Sequence, residues 1–171
     1  TAGFFTPWQV AVRTRPDLPW CRRWTGGGVV VHENDFTFSL IAPREERWAK
    51  LRPADSYHEL HVQLGLALMP RNPRTTLAAT NAPAGQECFA GPVMHDVIVG
   101  DRKAVGGAQR RTKRGLLHQG SIQGALLESD FARHLAGALG GEVVEWLPGD
   151  GFEERVRLLT EQKYADPEFL Q

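Results

Sequence analysis

Gly26, Gly27 and Gly28 stand in a row inside "RRWTGGGVVVHENDFTFSL" (22–40), between an arginine pair and a β-branched run. Glycine loses more backbone entropy on folding than any other residue and packs no side chain, so three in succession weaken any regular element. The triplet therefore points to an irregular segment whose backbone is closely approached. Familiar glycine motifs do not account for it. The chain contains no G-x-x-x-x-G-K-[ST], and a β-rich run follows where a dinucleotide fingerprint needs a helix. Alone, the triplet also fits a flexible turn. The guanidinium groups of Arg22 and Arg23 beside it suit carboxylate or phosphate and favour a ligand.

Bulk properties narrow the classes. The chain has 171 residues, 42% of them hydrophobic, enough to build one packed domain over 1–171. Twenty basic residues balance twenty acidic ones, which argues against a nucleic-acid partner. No apolar run could span a bilayer and no signal-peptide pattern opens the chain, so no membrane partner and a cytoplasmic location are expected. Cys21 and Cys88 are the only cysteines. With no C-x-x-C pair and no His/Cys cluster at zinc spacing, no metal site is expected.

Along the chain, "VVVH" and "FTFSLIAP" read as two strands joined through the turn residues of "HENDF". "SYHELHVQLGLALM" (56–69) reads as a helix with Ser56 as N-cap and Glu59 closing a capping box. The stretch from Pro70 to Glu87 reads as a loop leading into Cys88. "VMHDVIVGDRKAVGGAQRR" forms a hairpin turning on Gly100-Asp101, and "TKRGLLHQGSIQGALL" adds a turn and strand. "SDFARHLAGALGG", with Ser129 as N-cap and Gly140 as terminator, and a last segment from near Asp150 read as helices. The expected fold class is α/β (α+β): a mixed β-sheet with helices packed on it.

The second hairpin can be read geometrically. A two-residue turn sets Ile98 opposite Lys103, and alternation then puts Asp96 and Lys103 on one side of the sheet. Followed by Gly106, Gly107 and Ala108, that pair describes either a ligand site or an exposed edge hairpin with a solvated ion pair. Cys88 is a candidate nucleophile, since a nearby lysine favours the thiolate; it also fits a buried loop thiol beside Phe89. Cys21 reads as structural. The cluster "QRRTKR" (109–114) is either a solvated hairpin tip or a docking patch for an acidic partner.

Together these segments resemble the catalytic domain shared by lipoate–protein ligases and ligase-like octanoyltransferases. "RRWTGGGVVVH" with "FTFSL", "GDRKAVGGAQRR", "HQGSI" and "KYADPEF" match the family's motifs in order. Asn-Asp, typical of the ligases, is represented by His95-Asp96, and Gln119 stands where many relatives carry the histidine before Gly120. The resemblance implies the biotin/lipoate protein ligase catalytic-domain fold, with part of its N-terminal layer missing, either because the chain is partial or because that layer is shortened, and no accessory C-terminal domain.

It also implies roles. Lys103 would hold the acyl carbonyl, and Gly26, Gly27 and Gly28, beside Arg23 and His32, would wall the acyl channel. Asp96, Gly106, Gly107, Ala108 and Gly120 would complete the substrate site. "CFAGPVMHDVIV" resembles the octanoyltransferase pattern with Cys88 as nucleophile, so the implied route carries octanoate from acyl carrier protein through a Cys88 thioester, without a cofactor. The acceptor would be a lysine of a lipoyl-acceptor protein, either the glycine cleavage H protein or a dehydrogenase E2 lipoyl domain. Two alternatives remain open: an ATP- and Mg²⁺-dependent ligase acting through lipoyl-AMP, and an inactive acyl- or carrier-binding module.

Overall fold

The computed structural model describes residues 1–82, 89, 91–140 and 142–170. Five strands, β1 (Asp35–Pro43), β2 (Thr75–Leu77), β3 (Val97–Val99), β4 (Arg102–Thr112) and β5 (Gly115–Gln123), form one sheet in the order β1-β5-β4-β3-β2. Every pairing among them is antiparallel. Among the described residues, parallel pairing is confined to an isolated bridge between Ala2 and Arg22. The α+β class expected from the sequence is thus what the chain adopts.

Alternation along the strands divides the sheet into two unlike faces. Phe36, Phe38 and Leu40 of β1 share a face with Ile122 of β5 and Val105 of β4, because the register sets Phe36 against Ile122 and Ile122 against Val105. Helix α3 (Pro53–Leu68) lays Leu60, Leu64 and Leu68 on that face, and α4 (Phe131–Gly140) adds Phe131 and Leu135. The other face presents Thr37, Ser39, Gly106, Ala108, Gln119 and Ser121, and the N-terminal segment crosses it. That segment includes α1 (Trp8–Thr14) and builds a small core of its own from Ala2, Ala11 and Val29.

Three sequence expectations are corrected. "VVVH" is not a strand. Val29 makes an isolated antiparallel bridge to Ala2, which also bridges Arg22, so residues 29–32 follow the N-terminal segment and make no hairpin with β1. The stretch after Pro70 is not wholly loop, since Thr75–Leu77 pairs with β3. Helix α3 starts a turn earlier than its apolar pattern suggests, with Arg52 at the N-cap and Pro53 at the first helical position. Proline suits that position because its fixed φ is helical and its missing N–H would have lacked a partner. Ser56 is therefore inside the helix and fully buried, accepting from Arg111 Nη2 at 2.6 Å.

The C-terminal residues return to the segment around the glycines. After α2 (Arg47–Lys50) and α5 (Phe152–Leu159), a π-turn at Thr160–Tyr164 and α6 (Pro167–Leu170) end the described chain. Trp24 Nε1 donates to Tyr164 Oη at 2.8 Å, and Lys163 Nζ lies 3.9 Å from the Trp24 ring centroid. Arg110 lies against the same indole, 4.5 Å from a ring centroid, and donates to Trp24 O at 3.1 Å. Arg111 donates to Ala49 O at 2.9 Å. Two arginines of "QRRTKR" therefore tie elements together, and Lys113 and Arg114 form the exposed tip.

Candidate active site

On the face away from α3, a cleft of about 300 Å³ opens between the sheet and the N-terminal segment. Thr1, Arg23, Val30 and His32 form its outer side; Thr37–Ser39, Gly106–Ala108 and Gln119–Ser121 form its floor. Of the residues singled out in the sequence, Arg23, His32, Gly106, Gly107, Ala108 and Gly120 meet here.

The arginine pair splits in function. Arg22 is buried and donates through Nη1 to the carbonyls of Gly3, Phe4 and Thr6 at 2.8–3.0 Å, pinning the N-terminal segment. Arg23 faces the cleft and donates through Nη2 to Gly26 O and Gly28 O, each at 2.8 Å. The glycine triplet wraps that guanidinium. Gly27 has φ +86°, and a Cβ on it would stand 2.9 Å from Arg23 Nη2. The close approach inferred from the sequence comes here from the protein itself. Gly26–Gly28 are not among the cleft-lining residues and stand behind Arg23.

Lys103 and Asp96 are brought together as the hairpin geometry requires. The turn at Gly100-Asp101 has two residues, with Val99 opposite Arg102 and Ile98 opposite Lys103. The next pair is Val97–Val105, so Ala104 is an extra residue, a bulge that the sequence did not reveal. One added residue reverses side-chain parity. Lys103 therefore leaves the face of Val105 and joins that of Gly106. Its Nζ lies 2.8 Å from Asp96 Oδ2, with the side chains 4% and 0% exposed. A pair so buried is not the solvated ion pair of an edge hairpin.

Asp96 is held on every side. Its Oδ2 also accepts from Val93 N at 2.7 Å, and its Oδ1 accepts from Tyr57 Oη at 2.6 Å. Tyr57 was not singled out in the sequence, where it reads as one more residue of an amphipathic helix. It enters because β4 runs past the end of β3, leaving backbone groups that need partners. Gly107 N donates to Tyr57 Oη at 3.1 Å across that open edge. "GGA" is part of strand β4, and the outward N–H of Gly107 is already taken.

Two glycine contacts define the floor. A Cβ on Gly106 would stand 2.5 Å from Lys103 Cε and 2.8 Å from Nζ, so the ammonium end of Lys103 rests against Gly106. On the opposite face, a Cβ on Gly107 would meet His118 Nε2 at 2.3 Å. His118 and His61 are buried below the sheet. Burial drives both imidazoles from the ordinary 6.5 down to about 3, and nearby Lys103 adds to the lowering of His61.

Cys88 lies outside the described residues. Its chain neighbour Phe89 is described, with its ring centroid 5.1 Å from Lys103 Nζ. Among the described residues, no three His, Cys, Asp or Glu side chains cluster as a metal would require, and no helix is long and apolar enough to cross a membrane.

An antiparallel sheet thus carries helices on one face and, on the other, a glycine-floored cleft with a buried lysine resting against Gly106. Residues 8–145 match the lipoyl protein ligase A/B catalytic domain, and the chain belongs to that family. It is 30% identical over 115 residues to octanoyltransferase LipM of Bacillus subtilis (strain 168), covering 62% of this chain and 41% of that protein. LipM of Moorella thermoacetica is 32% identical over 108 residues, covering 59% of this chain and 39% of that protein. The chain thus spans about two fifths of the length of these curated relatives. Among solved structures, lipoate-protein ligase A bound with ATP superposes with a TM-score of 0.72 at 15% identity, over 99% of this chain and 80% of the other. A Thermoplasma acidophilum protein with bound lipoic acid gives 0.73 at 16% identity, over 98% and 79%.

Proposed function

We propose that this chain is the transfer domain of a cytoplasmic octanoyltransferase. It carries octanoate from acyl carrier protein, through a Cys88 thioester, to a lysine of a lipoyl-acceptor protein such as a lipoyl domain. The observation that carries this reading is Lys103: a lysine fixed by a buried carboxylate, its ammonium resting on Gly106 at the cleft floor and beside Phe89, the residue after Cys88. The octanoyltransferase relatives support it independently.

The Cys88 thiolate adds to the thioester carbonyl of the octanoylated carrier. Negative charge grows on the carbonyl oxygen, and Lys103 stabilises it from a site that excludes water. The C–S bond to the carrier breaks and the carrier thiol leaves, giving octanoyl-Cys88. The acceptor amine then adds to that carbonyl, Lys103 serves again, and the Cys88 sulfur leaves as the amide forms. Asp96 holds the ammonium in place and Tyr57 holds Asp96.

The test is transfer from octanoyl carrier to a purified lipoyl domain without ATP. Cys88→Ser abolishes transfer, and Lys103→Ala lowers it roughly 100- to 1,000-fold, the usual cost of an oxyanion donor. Transfer that survives Cys88→Ser, or that requires ATP and Mg²⁺, establishes the ligase route through lipoyl-AMP instead. Carrier or acyl binding with no transfer under either condition identifies an inactive binding module.

A further inference from the structure

The strand register makes the cleft floor a trench of fixed length. Residues 37–39, 106–108 and 119–121, three from each of β1, β4 and β5, line it. Gly106, Ser121 and Thr37 stand in one cross-strand row, and Ala108, Gln119 and Ser39 in another. Between them runs the row Gly107, Gly120, Phe38, whose side-chain positions point to the helix face. A Cβ on Gly107 would meet His118 there, and one on Gly120 would meet Phe38 Cζ at 2.3 Å. The cleft therefore has a bare middle row with a low wall on either side.

That middle row offers a ligand little but Cα–H. β5 is paired on both sides, so the N–H and C=O groups between the three strands are spent in the ladders. Ser121 Oγ already donates to Asp35 Oδ2 at 2.5 Å, and Thr25 Oγ1 donates to Gln119 Oε1 at 3.1 Å. A slim, unbranched apolar chain fits such a floor.

The two ends of the trench differ. At the β4 end the Lys103 ammonium rests against Gly106. At the β1 end the sheet stops. Among the described residues, no backbone hydrogen bond reaches 35–42 from outside the β1–β5 ladder. An apolar chain crossing that edge would cover backbone groups without replacing their bonds to water, which costs free energy. From β4 to β1 is two strand spacings, about 10 Å. An octanoyl chain's seven C–C bonds, about 1.5 Å each and zigzagged, reach roughly 9 Å.

We propose that this trench is a chain-length gauge for straight-chain acyl groups, set at about eight carbons by the distance from Lys103 to the open edge of β1. Thr37 and Ser39, which flank its β1 end, determine the length accepted. This rests on the acyl-handling reading of the site, with Lys103 at the carbonyl. Each methylene up to the eighth carbon lies on the bare row, and the next one leaves the sheet.

The test is equilibrium binding of straight-chain carboxylates of four to twelve carbons, by titration calorimetry on the whole chain. Affinity rises about fourfold per methylene up to eight carbons, the usual worth of a buried CH₂, and then levels off. Ser39→Phe and Thr37→Phe each put a ring at the β1 end, on exposed strand positions that suit an aromatic residue. In both, the levelling point moves down to about six carbons, half a strand spacing shorter. Lys103→Gln weakens every length by one common factor; a loss that depends on length would place the head group elsewhere and overturns the proposal. So does affinity that keeps rising to twelve carbons, that levels at eight carbons in both ring variants, or that shows no gain from four to eight. Octanoyl transfer from the carrier to a lipoyl domain, measured on the same wild-type preparation, tests the transfer reading separately. Levelling at eight carbons without transfer sinks that reading and keeps the gauge, whereas transfer without levelling sinks the gauge alone.

Discussion

A methyl group on Gly106 would sit where the end of the Lys103 side chain now rests, 2.5 Å from Cε. A flexible chain end can move aside, so Gly106→Ala folds; the ammonium then no longer lies over the cleft floor. Misplacing a reactive group by about 1 Å costs on the order of 100-fold in rate. Octanoyl transfer by Gly106→Ala is expected to fall by that factor with the urea midpoint little changed. Unchanged transfer would show that Lys103 does not act at Gly106. At this scale the sequence revealed some of the site and hid the rest. Lys103 and Asp96 were legible because a two-residue turn sets side-chain parity over a few residues. Tyr57 and Ser121 were not, because their bonds to Asp96 and Asp35 cross 39 and 86 residues of chain. Arg23 was legible as a site residue, but its grip on Gly26 and Gly28 was not, since a glycine triplet beside an arginine looks the same whether a ligand or the protein fills the space.

Helix α3 shows the same division among elements. Leu60, Leu64 and Leu68 recur at every fourth residue of the sequence, a spacing that lines one helix face, and all three are buried. Its start was misplaced because Ser56 has the chemistry of an N-cap, while Pro53 begins the helix. "VVVH" was read as a strand because β-branched residues favour one, whereas here the partner is the single bridge to Ala2. The short β2 was missed because three residues carry too little periodicity to register. α3 also holds an unused margin. Gly65 is inside the helix and buried, and a Cβ there meets Thr75, Leu77 and Val97 at 3.7–4.0 Å, ordinary contact distances. Gly65→Ala is expected to stabilise the chain by about 0.5–1 kcal/mol through lower unfolded-state entropy. Urea unfolding measures this, and a lowered midpoint would show that the α3–sheet contact has no room for a methyl group.

For the molecule as a whole, the two buried imidazoles set the acid limit. His61 and His118 bind protons near pH 3 in the folded chain and near 6.5 when unfolded. Between those values the unfolded chain holds more protons, so their contribution is complete above pH 6.5 and falls as pH drops. From pH 6.5 to 5 the loss is at most about 2 kcal/mol per histidine. Urea midpoints at the two pH values should differ accordingly in wild type and by less in His118→Gln; equal midpoints would contradict the burial of these rings. The N-terminal segment and the sheet converge on one cleft, and the central claim is that an acyl group is carried there on a cysteine. Intact-mass measurement after incubation with octanoyl carrier, without ATP, tests it most directly. The account predicts a gain of one octanoyl group on wild type that hydroxylamine removes, and none on Cys88→Ser. An unmodified wild-type chain that forms an acyl-adenylate when given free acid and ATP would contradict it.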